Sequence, residues 1–168
     1  MSFPVCVGQE PIYYNRLPTD HSPQFSTVYV TGYIDTPLDP LYSFGEGLTY
    51  TDFAYGEITL DRAVLHEGET LTASVQVTNV GARDGVETVQ LYIRDTFASV
   101  SQPVKELKGF QRVDIPKGET VTVSFSLTPD DLRFYNEEMA FVWEPGEIQV
   151  FIGHDSRVTA HKTFILAE

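Results

Sequence analysis

Two pairs of adjacent carboxylates, Asp130-Asp131 and Glu137-Glu138, come nearest in this chain to the spacing of acid–base chemistry. Such chemistry needs two carboxyls that converge on one substrate. Thr128, Pro129 and the two aspartates read instead as a helix start: a capping residue, a proline at the first helical position, and acids favoured by the N-terminal dipole. If Glu137 and Glu138 enter a strand, they point to opposite faces and cannot share a substrate. The histidines His21, His66, His154 and His161 show no metal-ligand spacing such as H-E-x-x-H. No serine sits in a G-x-S-x-G elbow. The lone Cys6 has no partner for a disulfide and reads as an inert thiol. The sequence therefore offers no catalytic residue, no metal ligand and no cofactor site. Phe141 and Trp143, two residues apart, are expected on one strand face as a core pair rather than as a sugar-stacking platform.

Composition narrows the function classes further. The 168 residues are 42% hydrophobic and 12% aromatic, enough for a real core but too few for a (β/α)₈ barrel of about 250 residues. A formal charge of −13 disfavours nucleic acid, since phosphate binding needs clustered Lys and Arg, and the eleven basic residues are scattered. No apolar run approaches the roughly 18 residues of a membrane span, so no membrane contact is expected. Pro4, Gln9, Glu10 and Pro11 interrupt any signal-peptide core. The compartment stays open.

Elements able to position side chains begin near Thr51. Residues 1 to 50 hold six of the ten prolines and little sustained period, with one candidate strand at VGQEPIYYN, residues 7 to 15. Beyond them, LTASVQVTN (71 to 79), ETVQLYIRD (87 to 95), VTVSFSLT (121 to 128) and EIQVFIG (147 to 153) alternate apolar and polar residues. Leu71, Ala73, Val75 and Val77 face one way; so do Val89, Leu91 and Ile93; Val121, Val123, Phe125 and Leu127; and Ile148, Val150 and Ile152. Period two with one apolar face is the pattern of a strand packed on one side. Weaker strands are expected at 53 to 60, 106 to 113, 140 to 144 and 159 to 166. HEGETLT, PKGETVT and EPGEIQV each put Gly-Glu before an alternating run, which reads as one turn chemistry used three times. Helix is confined to a short crossover after Thr128. The expected fold is an all-β, immunoglobulin or fibronectin type III-like antiparallel β-sandwich over 51–168, with an irregular N-terminal extension over 1–50.

One stretch fits neither period. PLYSFGEGLTY, residues 40 to 50, puts Leu41, Tyr42, Phe44, Leu48 and Tyr50 among two glycines. PLYSFGEGLTYTDF resembles the segment by which glycoside hydrolase family 3 enzymes pass from their α/β sandwich domain into a fibronectin type III-like domain. VTNVGARDGVETVQLYIRD, SQPVKELKGFQRVDIPKGETVTVSFSL and EPGEIQVFIGHDS are similar to that C-terminal domain, and VGQEPIYYN to the closing strand of the domain before it. The family usually has an aromatic residue or His between the two glycines of the opening motif, where this chain has Glu46.

The resemblance implies that residues 1–50 are a remnant of the preceding domain plus linker, and that 51–168 form a non-catalytic module of a β-glucosidase-like enzyme of bacterial origin. In that family the nucleophilic Asp lies on an N-terminal barrel and the acid/base Glu on the second domain. A retaining enzyme holds that pair about 5–5.5 Å apart, and neither motif occurs here. The partners implied are the other domains of the enzyme, against which Leu41, Tyr42, Phe44, Leu48 and Tyr50 would pack. The alternative is an autonomous carbohydrate- or protein-binding sandwich. Residues 1 to 35, without sheet partners, are expected to be loosely held, to fold back on the sandwich, or to pair with another copy.

Overall fold

The computed structural model describes residues 2–18, 35–37 and 39–168. Residues 1, 19–34 and 38, His21 among them, lie outside those described, and with them part of the expectation for residues 1 to 35. Two sheets carry the fold. In the first, β4 (Leu71–Asn79) is paired along its length with β7 (Thr120–Leu127), while β1 (Phe53–Tyr55) and β2 (Thr59–Leu60) pair with successive parts of it. The second has the order β3 (Val64–His66), β11 (His161–Ala167), β10 (Gly146–Gly153), β5 (Gly85–Asp95), β6 (Glu106–Ile115). All pairs are antiparallel except β3 with β11. A short helix, α1 (Pro129–Leu132), leads into a small hairpin of β8 (Phe134–Tyr135) and β9 (Phe141–Val142).

Alternation explains the packing. Leu71, Ala73, Val75 and Val77 of β4 meet Val89, Leu91 and Ile93 of β5, with Ile148, Val150 and Ile152 of β10 completing a continuous apolar layer. Outward residues of β4 and β7 pair as hydroxyls, Ser74 with Ser124 and Thr78 with Thr120, each at 2.8 Å, as cross-strand neighbours on a wet face do. At α1, the Asp131 carboxylate accepts the Thr128 N–H at 2.8 Å and the Thr128 hydroxyl at 2.6 Å, so this acid caps the helix.

Several expectations from the sequence need correction. No strand forms over 7–15, where Pro11 removes a ladder donor; the bridge between Phe3 and Tyr42 lies ahead of that segment. The 53 to 60 run divides into β1 and β2, and β3 was not anticipated because three residues show no usable period. Glu137 and Glu138 lie in the hairpin turn, exposed, and not in a strand. Phe141 and Trp143 do not form a core pair: Trp143 packs on the core and donates to the Ala167 carbonyl at 3.1 Å, whereas Phe141 is exposed against Tyr135. The Gly-Glu turns also differ. Gly68 and Gly118 have φ of +89° and +79°, but Gly146 is already the first residue of β10.

Asn79 closes β4 and ties the N-terminal end of the sandwich together. It is fully buried, accepts the Thr51 hydroxyl at 2.7 Å and the Gly81 N–H at 3.1 Å, and donates to the carbonyls of Arg83 and Ile115, both at 2.8 Å. Replacing it leaves buried partners unmatched. Asn79→Ala should lower stability by roughly 2–4 kcal/mol, read as a lower urea midpoint at unchanged slope. Thr78→Ala, next to it on the wet face, should cost less than about 1 kcal/mol. Equal midpoints for the two variants would contradict this account of Asn79.

Candidate functional site

A sandwich strand with one wet face should expose every second residue. Strand β5 does not: besides Val89, Leu91 and Ile93, its outward-facing Gln90 and Tyr92 are buried, Tyr92 completely. Phe151 of β10, outward in the same sheet, is buried too. The N-terminal extension and the loop after β10 cover this patch.

Gln90 is the centre of the cover. Its amide donates to the carbonyls of Gly45 at 2.9 Å and His154 at 2.5 Å, and its oxygen accepts the Tyr92 hydroxyl at 2.6 Å. Gly45 is required at this contact: with φ of +84°, an added Cβ would lie 2.1 Å from the Gln90 side-chain oxygen. The Tyr14 ring stacks on Phe44 at 4.0 Å and meets Tyr92 edge-on at 5.9 Å. Its hydroxyl accepts the Leu107 N–H at 3.4 Å, and the Arg16 carbonyl accepts the Val104 N–H at 2.9 Å. The described part of the extension thus folds back on the sandwich. Burial first, and then the neighbouring Tyr14 phenol and Asp155 carboxylate, push the Tyr92 phenol well above its ordinary value and keep it a donor.

The loop following β10 supplies the charges. Asp155, 1% exposed, accepts the Ser43 hydroxyl at 3.0 Å, the Arg157 N–H at 2.8 Å and the Arg157 guanidinium at 3.1 Å. Burial would raise this carboxyl. The Arg157 N–H, the Ser43 hydroxyl, His154 and the Arg157 side chain outweigh it and hold Asp155 below the usual carboxylate range. Arg157 also reaches Glu46 at 2.8 Å, and the same Glu46 oxygen accepts the Ser43 N–H at 3.0 Å. The Ser156 N–H donates to the Phe44 carbonyl at 3.0 Å. Lys105 donates to the carbonyls of Ser156 and Val158 and sits 4.6 Å above the Phe151 ring. Burial lowers its ammonium to about 8, with Arg94 adding to the effect and Asp155 opposing it.

This arrangement can fasten a strip of chain. Ser43 is buried, with its hydroxyl between two carboxylates, and the His154 ring approaches Asp155 rather than the serine. Among the described residues, no group of three His, Cys, Asp or Glu side chains is placed to hold a metal ion. Cys6 is exposed, with its sulfur 3.6 Å from the Thr36 hydroxyl. No helix of the described residues is long and apolar enough to cross a membrane.

The structure brings only one of the five aromatic and aliphatic strip residues into this seam. Phe44 is half-buried between Tyr14 and the sandwich, whereas Leu48 and Tyr50 are 89% and 91% exposed. Leu41 and Tyr42 are also exposed, held by the paired bridge with Phe3, whose ring meets Tyr42 edge-on at 6.2 Å. Beside them, an apolar cavity of about 480 Å³ is lined by Phe3, Ile12, Tyr13, Tyr14, Pro40 and Phe44. Reading the sequence missed Gln90, Tyr92, Asp155, Arg157 and Lys105. The available signals were large rings at outward positions of alternating strands, Tyr92 and Phe151, and the charge at Glu46.

Comparison with known proteins fits this geometry. Residues 87–156 match the fibronectin type III-like domain family. The chain is 42% identical over 168 residues to a periplasmic β-glucosidase of Salmonella typhimurium, covering 99% of this chain and 22% of that enzyme. A β-xylosidase of Formosa agariphila is 42% identical over 166 residues, with 99% and 22% covered. The crystal structure of a β-glucosidase from Listeria innocua in complex with glucose superposes with a TM-score of 0.89 at 38% identity, over all of this chain and 24% of the other. The chain therefore spans about a fifth of the length of the curated enzymes it matches. With an all-β sandwich, the domain match and these relatives in agreement, the chain belongs to the fibronectin type III-like domains of glycoside hydrolase family 3.

Proposed function

We propose that this chain is a non-catalytic structural module of a family 3 β-glucosidase-like enzyme, and that residues 1–50 are the end of the preceding α/β domain with its linker. Its work is to brace the neighbouring domain through the outward side of the 40–50 strip. The observation that carries this reading is the two-sidedness of that strip. Phe44, Gly45 and Glu46 fasten it to the sandwich, while Leu48 and Tyr50 point away and bury little within the chain, and Leu41 stays half exposed. Exposed large apolar side chains beside an apolar cavity mark an interaction surface. An interdomain contact of several hundred Å² of apolar surface is worth several kcal/mol, at about 25 cal/mol per Å², before ordering costs. The sugar and linkage handled by such an enzyme would be set by its other domains.

The purified chain should not hydrolyse an aryl β-glucoside. Added to a family 3 β-glucosidase deprived of its own fibronectin type III-like domain, it should bind and raise that protein's melting temperature. Replacing Leu48 and Tyr50 together by Ser should weaken this binding at least ~10-fold, measured by titration calorimetry. The same change should alter the chain's own stability by less than about 0.5 kcal/mol, because neither side chain is packed. Turnover by the chain alone, or undiminished binding after the double change, would refute the bracing role. Saturable affinity for a β-glucan, lost with an exposed ring, would point to a carbohydrate-binding module instead.

A further inference from the structure

Two carboxylates that approach the same hydroxyl should repel each other. Glu46 of the strip and Asp155 of the loop after β10 both do so: each has an oxygen within 3.2 Å of the Ser43 Oγ, which has one hydrogen to share. Asp155 is almost fully enclosed and Glu46 is mostly covered, so solvent screens their repulsion poorly. The charge that offsets them is Arg157. Its Nη2 lies 2.8 Å from Glu46 and 3.1 Å from Asp155, and its Nε donates to the same Asp155 oxygen at 3.1 Å. Of the other basic groups nearby, the Lys105 ammonium feels Asp155 through space but directs its hydrogen bonds to the carbonyls of Ser156 and Val158, and the His154 ring stands 3.6 Å from Asp155 with no contact to Glu46.

We propose that Arg157 is an electrostatic latch that fixes residues 43–46 to the second sheet by bridging Glu46 and Asp155, so that strip and sandwich move as one body. The latch deepens the bracing role, since a strip free to swivel transmits no constraint between domains. It is nonetheless a property of this chain alone and can be measured without a neighbouring domain.

A structural ion pair of the usual kind only loses its own attraction when cut. This latch has a different signature. With Arg157 gone, Glu46 becomes a source of repulsion, so removing Glu46 as well should partly close what the first change opened. The two residues must therefore couple with a defined sign.

Amide hydrogen exchange of the 168-residue chain at pH 7 tests this residue by residue. The Ser156 N–H, bonded to Phe44, and the Glu46 N–H, bonded to Ser43, report the strip; Val75 and Val150 report the sandwich. R157Q should speed exchange of the two strip amides by about tenfold or more while leaving Val75 and Val150 unchanged. R157K, which keeps the charge, should stay within about threefold of the parent chain. The E46Q/R157Q double variant should exchange more slowly at the strip than R157Q alone. Three outcomes overturn the proposal: strip amides unmoved in R157Q, a double variant more open than the single one, or sandwich amides that lose protection in step with the strip.

Discussion

A carboxylate taken out of water costs several kcal/mol unless its charge and its lone pairs are met. Asp155 is the buried charge on which the covered face of this domain depends. Its own loop supplies the Arg157 N–H and guanidinium, but its remaining close donor, the Ser43 hydroxyl, comes from more than a hundred residues earlier in the chain. The loop after β10 therefore reaches its observed state with the strip seated, and the strip is seated by donors and acceptors that the loop presents. Each side satisfies polar groups the other would otherwise leave exposed to an apolar surface. Gln90 works in the same way, with its two amide hydrogens divided between the strip at Gly45 and the loop at His154. The seam is held by matched polar groups around a small aromatic stack. That composition suits a junction which must take one orientation rather than slide.

The apolar core imposes a different kind of order. Its residues face each other across the two sheets by simple alternation, and no single pairing in it is indispensable in the way that Asn79 or Asp155 is. Alternation sets which side of a strand is inside. The polar ties set where the strand ends and what lies on its outer side. Asn79 does this at the end of β4 by binding the backbone of the following turn at Arg83, the last residue of β6 and the Thr51 hydroxyl at once.

This division explains which parts of the molecule can be read from the sequence. Strand β4 is legible to the residue, because nine positions of strict alternation with β-branched and apolar residues leave one register that buries a face. The helix at Thr128-Pro129 is legible because capping chemistry is local. Strands β3 and β8 are not, since two or three residues carry no period and form only because a longer neighbour offers an open edge or a turn closes them, whereas β9 falls inside the run expected at 140 to 144. The seam is legible only as an anomaly. Tyr92 and Phe151 occupy outward positions where polar residues belong, which signals a cover without saying what provides it. Gln90, Asp155 and Arg157 are unremarkable in type, and they become partners of Gly45, Ser43 and Glu46 solely through contacts across 45 to 112 residues of chain.

The strip between Pro40 and Tyr50 resists both helix and strand patterns for a reason the structure makes plain. A strand would send its side chains alternately to two faces, and a helix would gather them onto one stripe. This segment has to meet the sandwich through a short central portion, Ser43 to Glu46, and direct Leu48 and Tyr50 elsewhere. A left-handed turn at Gly45 allows the change of direction and brings the backbone within reach of Gln90, where any side chain would collide. Glu46, immediately after that glycine, carries a charge, and Arg157 gives the charge somewhere to go. The irregular backbone is thus the consequence of serving two surfaces at once, with its central turn committed to the sandwich and its flanks left for another.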